Sequence, residues 1–418
     1  MSKQTPKISP IWDVVVIGGG PAGMTAATSA GARGKSVLLL EKNPGLGKKL
    51  LITGGGRCNV TNNKPVVREM LSQYKEAGKF LFSTFMQYGV TETIVFFKER
   101  GLPFIEENEG RLFPETHKAQ SVFDVLYQQL LAHKVEIKTG SPVKQVVKNA
   151  QYFIITLNSG VEIIARKVII STGGTARPET GSTGDALPWL AKFGHTVHAG
   201  NNTLVPVTVK EVWAKNLGGV SLPEAAVTIY CAGKKRISAT GKMLFTHVGL
   251  SGPLILNQSK AIGDLLVEGE VLIKIDLVPH IDASATQAEL LTAFQSTPNK
   301  KLKNILASLV KTALVAPILD QVGLDGELQV HSIIASDRKK IGVLLKSLTV
   351  TVTGLLGADK AVATAGGVDL TEVNFKTMES RIVPGLYLIG DILNINRPSG
   401  GYGLQLTWST GAVAGRHI

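Results

Sequence analysis

Cysteine is nearly absent from this chain. Cys58 and Cys231 are the only two in 418 residues, too few for a disulfide framework. No Cys or His pair has metal-ligand spacing, so no metal is expected. Aromatic residues make up only 6% of the sequence, which leaves little material for stacking platforms along a nucleic-acid strand. No uncharged apolar run approaches the roughly 18 residues a spanning helix needs. The opening MSKQTPKISP has no apolar leader core, so the expected location is the cytoplasm. Acidic residues are in deficit, 32 Asp+Glu against 45 Lys+Arg, and the resulting +13 favours anionic partners: nucleotides, acidic substrates or RNA. Much of the positive charge lies in short runs such as Asn299 to Lys303 and Asp337 to Lys340. Interleaved apolar residues make these runs read as solvated helix faces rather than a nucleic-acid groove.

With 44% hydrophobic residues, the chain is long enough to bury a sizeable core in two domains. Its first ordered signal is WDVVVI, Trp12 to Ile17, followed at once by GGGPAG and a run of small residues. That order is strand, turn, helix. Gly18, Gly20 and Gly23 satisfy G-x-G-x-x-G: one for the tight turn, one for backbone approach to a pyrophosphate, one for close helix-to-strand packing. Pro21 and Ala22 open the helix whose N-terminus would face the phosphates. A second strand, SVLLLEKN, ends at Glu41, where a carboxylate can accept hydrogen bonds from an adenosine ribose. An ADP-containing dinucleotide is the expected ligand, and this pattern alone does not separate FAD from NAD.

Two distant segments bear on that choice. KVIISTGGTA, Lys167 to Ala176, reads as a buried strand entering a glycine turn, and it resembles an element of flavoproteins with two dinucleotide-binding domains. Near the end of the chain, GLYLIGDILNINRPSGGYGLQLTWSTGAVAG runs from a strand to Asp391 and through a glycine-rich turn into a helix. An acid at that strand end can bind a flavin ribityl hydroxyl, and the N–H groups of the helix start can face the electron-rich edge of the ring. The alternative for Asp391 is a helix N-cap.

TGGGRCNVTN, TGGTARPETGSTGDA, TAGGV, TMESRIVPGLYLIGD and GGYGLQ together make nearly the whole chain resemble the BaiN/RdsA-type (YhiN-like) flavoprotein family. Two positions depart from the family pattern: Asp391 stands where Glu is usual, and Gly403 where Asn is common. The resemblance implies that the loop Thr53 to Asn59 lies along a flavin. Gly54, Gly55 and Gly56 would permit close approach, Arg57 and Asn59 would donate hydrogen bonds, and Lys49 would meet the pyrophosphate. Cys58 is expected to pack beside the ring rather than act as a redox thiol, because no partner cysteine lies near it in sequence. Lys42, Val143, Thr172, Gly173, Gly390, Leu404 and Gln405 complete the cofactor contacts that the resemblance implies.

The expected fold class is α/β: a Rossmann-like FAD-binding domain of the two-dinucleotide-binding flavoprotein type, interrupted by a β-barrel-like plus helical insert. The FAD-binding parts are 1–194 and 351–418. The insert is 195–350, β-rich over 195–280 and helical over 281–350. Leu302, Ile305, Leu306, Leu309 and Val310 recur at helical spacing and read as core contacts. A substrate cleft is expected where the insert meets the cofactor domain.

For chemistry, His247 in FTHVGLSGP offers a proton donor, Tyr402 a donor to a carbonyl, and Arg397 an anion holder. Turn, packing and loop-anchoring roles stand beside each. There is no second complete dinucleotide fingerprint, so NAD(P)H would be a transient co-substrate. The expected function is an FAD-dependent oxidoreductase that reduces an unsaturated ketone or related small molecule. An RNA-modifying flavoprotein and a flavin-binding sensor without turnover are the alternatives, and nucleic acid is the less favoured partner.

Overall fold

The computed structural model describes residues 11–357, 359–361 and 363–418. The N-terminal decapeptide, read above as lacking a leader core, lies outside them. The chain divides into two compact units, Met1–Asn202 with Val362–Ile418, and Thr203–Ala361.

The first unit is built on five parallel strands in the order Leu386–Leu388, Glu162–Ile170, Ile11–Ile17, Val37–Leu40 and Glu136–Lys138. Sheets of this kind are covered on both faces, so their strands are apolar throughout rather than alternating. Val14 to Ile17 and Val37 to Leu40 are all buried. The helix Pro21–Gly31 follows the first strand with proline at its start, where the missing N–H costs nothing. The last helix, Tyr402–Arg416, packs against it backbone to backbone. A Cβ at Gly411 would come within 2.6 Å of the Ala22 carbonyl oxygen, and one at Gly415 within 2.4 Å of that of Ala26. An antiparallel pair, Val143–Lys148 and Phe153–Leu157, extends from the Glu162–Ile170 strand.

The second unit holds a closed six-stranded barrel in the order Val207–Val209, Gly249–Ser251, Lys234–Thr246, Ser221–Cys231, Val271–Asp276 and Leu348–Leu355. Helices Ala283–Ser296, Leu302–Leu309, Val315–Val322 and Ala335–Lys346 pack with it. Leu302, Ile305 and Leu306 are buried, and Leu309 and Val310 are partly buried against the same core. The strand Leu348–Leu355 bonds to both Val207–Val209 and Val271–Asp276 and closes the barrel. The second boundary therefore falls beyond this strand, not at 350. No sequence break marks the place, because LTVTVTGL could equally begin a strand of the nucleotide unit. Among the described residues no helix is long and apolar enough to cross a membrane.

Candidate functional site

The carboxyl ends of the parallel strands carry the glycine turn. Gly18 N donates to the Leu40 carbonyl at 2.8 Å, tying the turn to the second strand, and Gly18 has φ +107°. A Cβ there would lie 2.5 Å from the Ser171 carbonyl oxygen. At Gly23 it would lie 1.9 Å from the Gly18 carbonyl oxygen, the close helix packing expected of the third glycine. Gly20 differs: a Cβ would meet nothing within 4 Å. That opening leaves space beside the helix N-terminus at Pro21 and Ala22.

Glu41 is buried beside the turn. Its Oε2 accepts from Gly19 N at 2.8 Å, and its Oε1 accepts from Asn43 N and Asn43 Nδ2, both at 2.8 Å. Each carboxylate oxygen can accept about two hydrogen bonds, so Oε2 keeps one acceptor position for a ribose hydroxyl. Ser141 N donates to the Glu41 carbonyl at 2.9 Å, which brings half-buried Val143 close to the same strand end. On the other flank, Thr172 Oγ1 is buried with no hydrogen-bond partner, one residue before Gly173 at φ +75°. An orphaned hydroxyl beside an open glycine turn fits a polar ligand.

A charge cluster of buried Arg397 with partly buried Asp391 and Lys49 lies at the end of another strand. Gly390, at φ +68°, ends the strand Leu386–Leu388 and turns the chain into Asp391. Arg397 Nη2 donates to Asp391 Oδ1, and Lys49 Nζ lies 3.5 Å from Asp391 Oδ2. Burial alone would raise the Asp391 pKa, but the Arg397 and Lys49 charges outweigh it and hold the carboxyl below its ordinary value. Arg397 Nη1 donates to the Ile395 carbonyl at 3.1 Å, while Nε is buried and unpartnered. A Cβ on Gly403 would come within 3.1 Å of that Nε. Glycine at 403 thus leaves room for Arg397. Gly403 and Leu404 lie in the first turn of the last helix, whose leading N–H groups have no acceptor within the helix. Tyr402 is buried, its carbonyl accepts from Tyr74 Oη at 2.8 Å, and burial pushes its phenol up to about 12.

Several of the side chains expected at the cofactor have protein partners. Gln405 is fully buried in the interior: Oε1 accepts from Thr61 Oγ1 at 2.6 Å, and Nε2 donates to Thr93 and Ser409. It holds the last helix in place and has no spare donor. Asn59, with its amide oriented to satisfy both ends, accepts from Gly401 N and donates to the Thr61 and Leu112 carbonyls. Arg57 pairs with Glu107 at 2.6 Å and lies 4.2 Å over the Phe113 ring. Lys42 pairs with Asp185 at 2.6 Å. His247 belongs to the other unit, in the exposed turn between the strands Lys234–Thr246 and Gly249–Ser251, with its ring against Gly218. Tyr74, Asn43 and Asp185 had no assigned role in the sequence reading. Asp185 lies within GSTGDA, whose spacing alone does not reveal what the carboxylate touches.

The loop Thr53 to Cys58 runs through left-handed backbone at Gly54, Gly55 and Gly56, and a Cβ at Gly55 or Gly56 would meet nothing within 4 Å. Cys58 is fully buried, also at positive φ, and burial pushes its thiol up to about 12 despite the Thr53 hydrogen bond. A thiol held in that state is neither nucleophile nor redox partner near neutral pH. Alkylation at pH 8 should therefore label Cys58 only after unfolding, and Cys58→Ser should keep its bound flavin. Rapid labelling of the folded protein would put the reading in error.

The family model described as the HI0933-like protein Rossmann domain matches residues 12–417. The chain is 31% identical to the 3-dehydro-bile acid delta(4,6)-reductase of Clostridium scindens, over 96% of this chain and 97% of that protein. It is likewise 31% identical to the ribosomal RNA dihydrouridine synthase of Escherichia coli, over 96% of each. Among solved structures, the 3-ketosteroid delta1-dehydrogenase of Sterolibacterium denitrificans has a similar fold, with a TM-score of 0.53 at 14% identity, covering 97% of this chain and 99% of that one. With a family match over almost its full length and two full-length relatives above 30% identity, the chain belongs to the HI0933-like family, the flavoprotein oxidoreductases of the BaiN/RdsA type that its motifs resemble.

Proposed function

We propose that this protein binds FAD non-covalently at the carboxyl end of its parallel sheet and reduces a carbon–carbon double bond conjugated to a carbonyl, with NADH or NADPH as donor. The observation that carries the proposal is the open cradle at Gly20, flanked by Glu41 and by the orphaned Thr172 hydroxyl. When bound, FAD supplies the two-electron chemistry. The chain's own residues do the rest. Glu41 holds the ribose end, and the Pro21–Gly31 helix start faces the pyrophosphate. Asp391, kept ionised by Arg397 and Lys49, accepts from hydroxyls of the cofactor chain. The open N–H groups of the Tyr402–Arg416 helix favour negative charge at its start. Tyr402 keeps its phenolic proton at neutral pH.

The names of the two relatives support the substrate class, since a delta(4,6)-reductase and a dihydrouridine synthase each saturate a ring double bond. The balance is one hydride and one proton per double bond, with the donor leaving as NAD(P)⁺. A ribosomal RNA substrate is the second reading, favoured by the equal identity of the synthase and by the +13 charge. Anaerobic mixing of the reconstituted yellow protein with NADH and with NADPH should bleach it. Cyclic enones, isolated alkenes and a uridine-containing ribosomal fragment then serve as acceptors. The enone should restore the colour and the isolated alkene should not. If neither nicotinamide bleaches the protein, or no conjugated acceptor reoxidises it, the proposed reaction fails.

A further inference from the structure

The segment after the Glu162–Ile170 strand does more than turn. It leaves Ile170 through Ser171, Thr172 and Gly173, next to Gly18, and its distal part is bonded to residues that follow the Val37–Leu40 strand. Lys48 Nζ donates to the Glu179 carbonyl at 2.7 Å, and Asn43 Nδ2 to the Thr180 carbonyl at 3.0 Å. Lys42 Nζ bonds Thr183 Oγ1 at 2.5 Å and Asp185 Oδ2 at 2.6 Å, and Thr183 Oγ1 donates to Asp185 Oδ1 at 2.6 Å. Gly181, at φ +101°, lets the loop approach: a Cβ there would lie 2.5 Å from Asn43 Nδ2.

The strand order makes this a crossing. Ile11–Ile17 lies between Glu162–Ile170 and Val37–Leu40. A loop that starts at one outer strand and is fastened beyond the other must span about 10 Å past the end of the middle strand, where the glycine turn sits. Glu41 links the two systems, because the oxygen that holds Asn43 belongs to the carboxylate that holds Gly19. Burial would raise the Asp185 pKa, but its bonds to Lys42 and Thr183 lower it, so the carboxylate is ionised near neutral pH.

We propose that residues 173–185 form a clasp across the dinucleotide site and that Lys42 and Asp185 are its fastening, setting how fast the bound nucleotide leaves. Lys42 is thus a positioning residue for the loop rather than a contact of the cofactor. This inference rests on FAD occupying the site as proposed above. Side-chain exposures of 28% for Lys42 and 44% for Asp185 leave the pair open to ionic screening, which gives the clasp a signature that packing lacks.

The test uses reconstituted holoprotein and follows flavin release after dilution by the fluorescence of free FAD. Lys42→Ala and Asp185→Asn should each speed release by about three- to ten-fold, the scale of one partly exposed charge-assisted contact. The double variant should release no faster than either single variant, since one bond is lost in all three. Lys42→Arg, which keeps the charge, should remain near the wild-type rate. Raising the salt from ~0.05 M to ~0.5 M should speed wild-type release more than release from the double variant. Thermal unfolding of the apoproteins, read in parallel, separates clasp from scaffold. Wild-type release rates in both single variants, or additive effects in the double variant, would overturn the clasp while leaving the FAD reading intact. A wild-type protein that takes up no FAD on reconstitution overturns both.

Discussion

Gly20→Val is expected to yield a protein that folds normally and carries no flavin. Gly20 has φ −76° and ψ −178°, ordinary extended backbone for an L-residue, and its Cβ direction is empty to 4 Å. The branched side chain therefore costs the apoprotein almost nothing while filling the cradle. The affinity loss should be about 3 kcal/mol or more, roughly a hundred-fold. Its neighbours in the motif fail for other reasons. Alanine at Gly23 would gain about 1 kcal/mol of helix propensity, but its Cβ would lie 1.9 Å from the Gly18 carbonyl oxygen, an overlap that forces the helix off the strand. Gly18→Ala meets the Ser171 carbonyl at 2.5 Å with φ at +107°. Flavin content measured beside thermal unfolding separates the cases: Gly20→Val should lose flavin alone, and the other two should lose stability as well. A flavin-loaded Gly20→Val protein would remove the cradle from the site.

Arg397→Met should be the most destabilising single change in the charge cluster, by about 3–5 kcal/mol, because it leaves Asp391 ionised and buried with only Lys49 nearby. The double change Arg397→Met with Asp391→Asn should be milder than Arg397→Met alone, since it removes the stranded charge. The pH dependence gives a sharper sign. In the native protein the folded pKa of Asp391 lies below its ordinary value near ~3.9. Its contribution to stability is therefore complete above that value and is lost as pH falls through the folded pKa. Without Arg397 the effect of burial dominates and the folded pKa rises. The variant's deficit should then grow as pH rises from acid toward neutral and shrink on acidification. Thermal unfolding at pH 4.5 and pH 7.5 reads this directly, and a deficit equal at both would show that Arg397 acts through packing alone.

The parallel core and the glycine turn were legible from the chain because their causes are local: a run of apolar residues, glycines at fixed offsets, and an acid ending the next strand. Gly18 and Gly23 have the turn and the close packing expected of them, and the fold of the first unit follows. The roles of polar side chains were not legible in the same way. Arg57, Asn59 and Gln405 lie in the right segments, but Arg57 pairs with Glu107, Asn59 accepts from Gly401 N and donates to the Thr61 and Leu112 carbonyls, and Gln405 donates to Thr93 and Ser409. Glu107, Gly401, Leu112 and Thr93 lie tens to hundreds of positions from the residues they bond, and nothing in the spacing announces them. Arg397 was legible only as a cation near the last glycine turn. That it clamps Asp391, and that Gly403 is small to make room for it, depends on packing between a loop and a helix start.

The order in which the ribosome delivers these segments matters for how the protein matures. The strand Leu386–Leu388 pairs with Glu162–Ile170, and the Tyr402–Arg416 helix lies on Pro21–Gly31, so the unit begun by the first strand is completed by residues made after the barrel. The barrel and its helices, contiguous over Thr203–Ala361, can collapse while those residues are still inside the ribosome. Residues 11–202 must meanwhile wait with Val168 to Ile170 unpaired on the side that Leu386–Leu388 will take, a short apolar edge of the kind that chaperones shield. An FAD bound as proposed would be captured only after the barrel has been made, because Asp391 and the start of the last helix follow it in the chain.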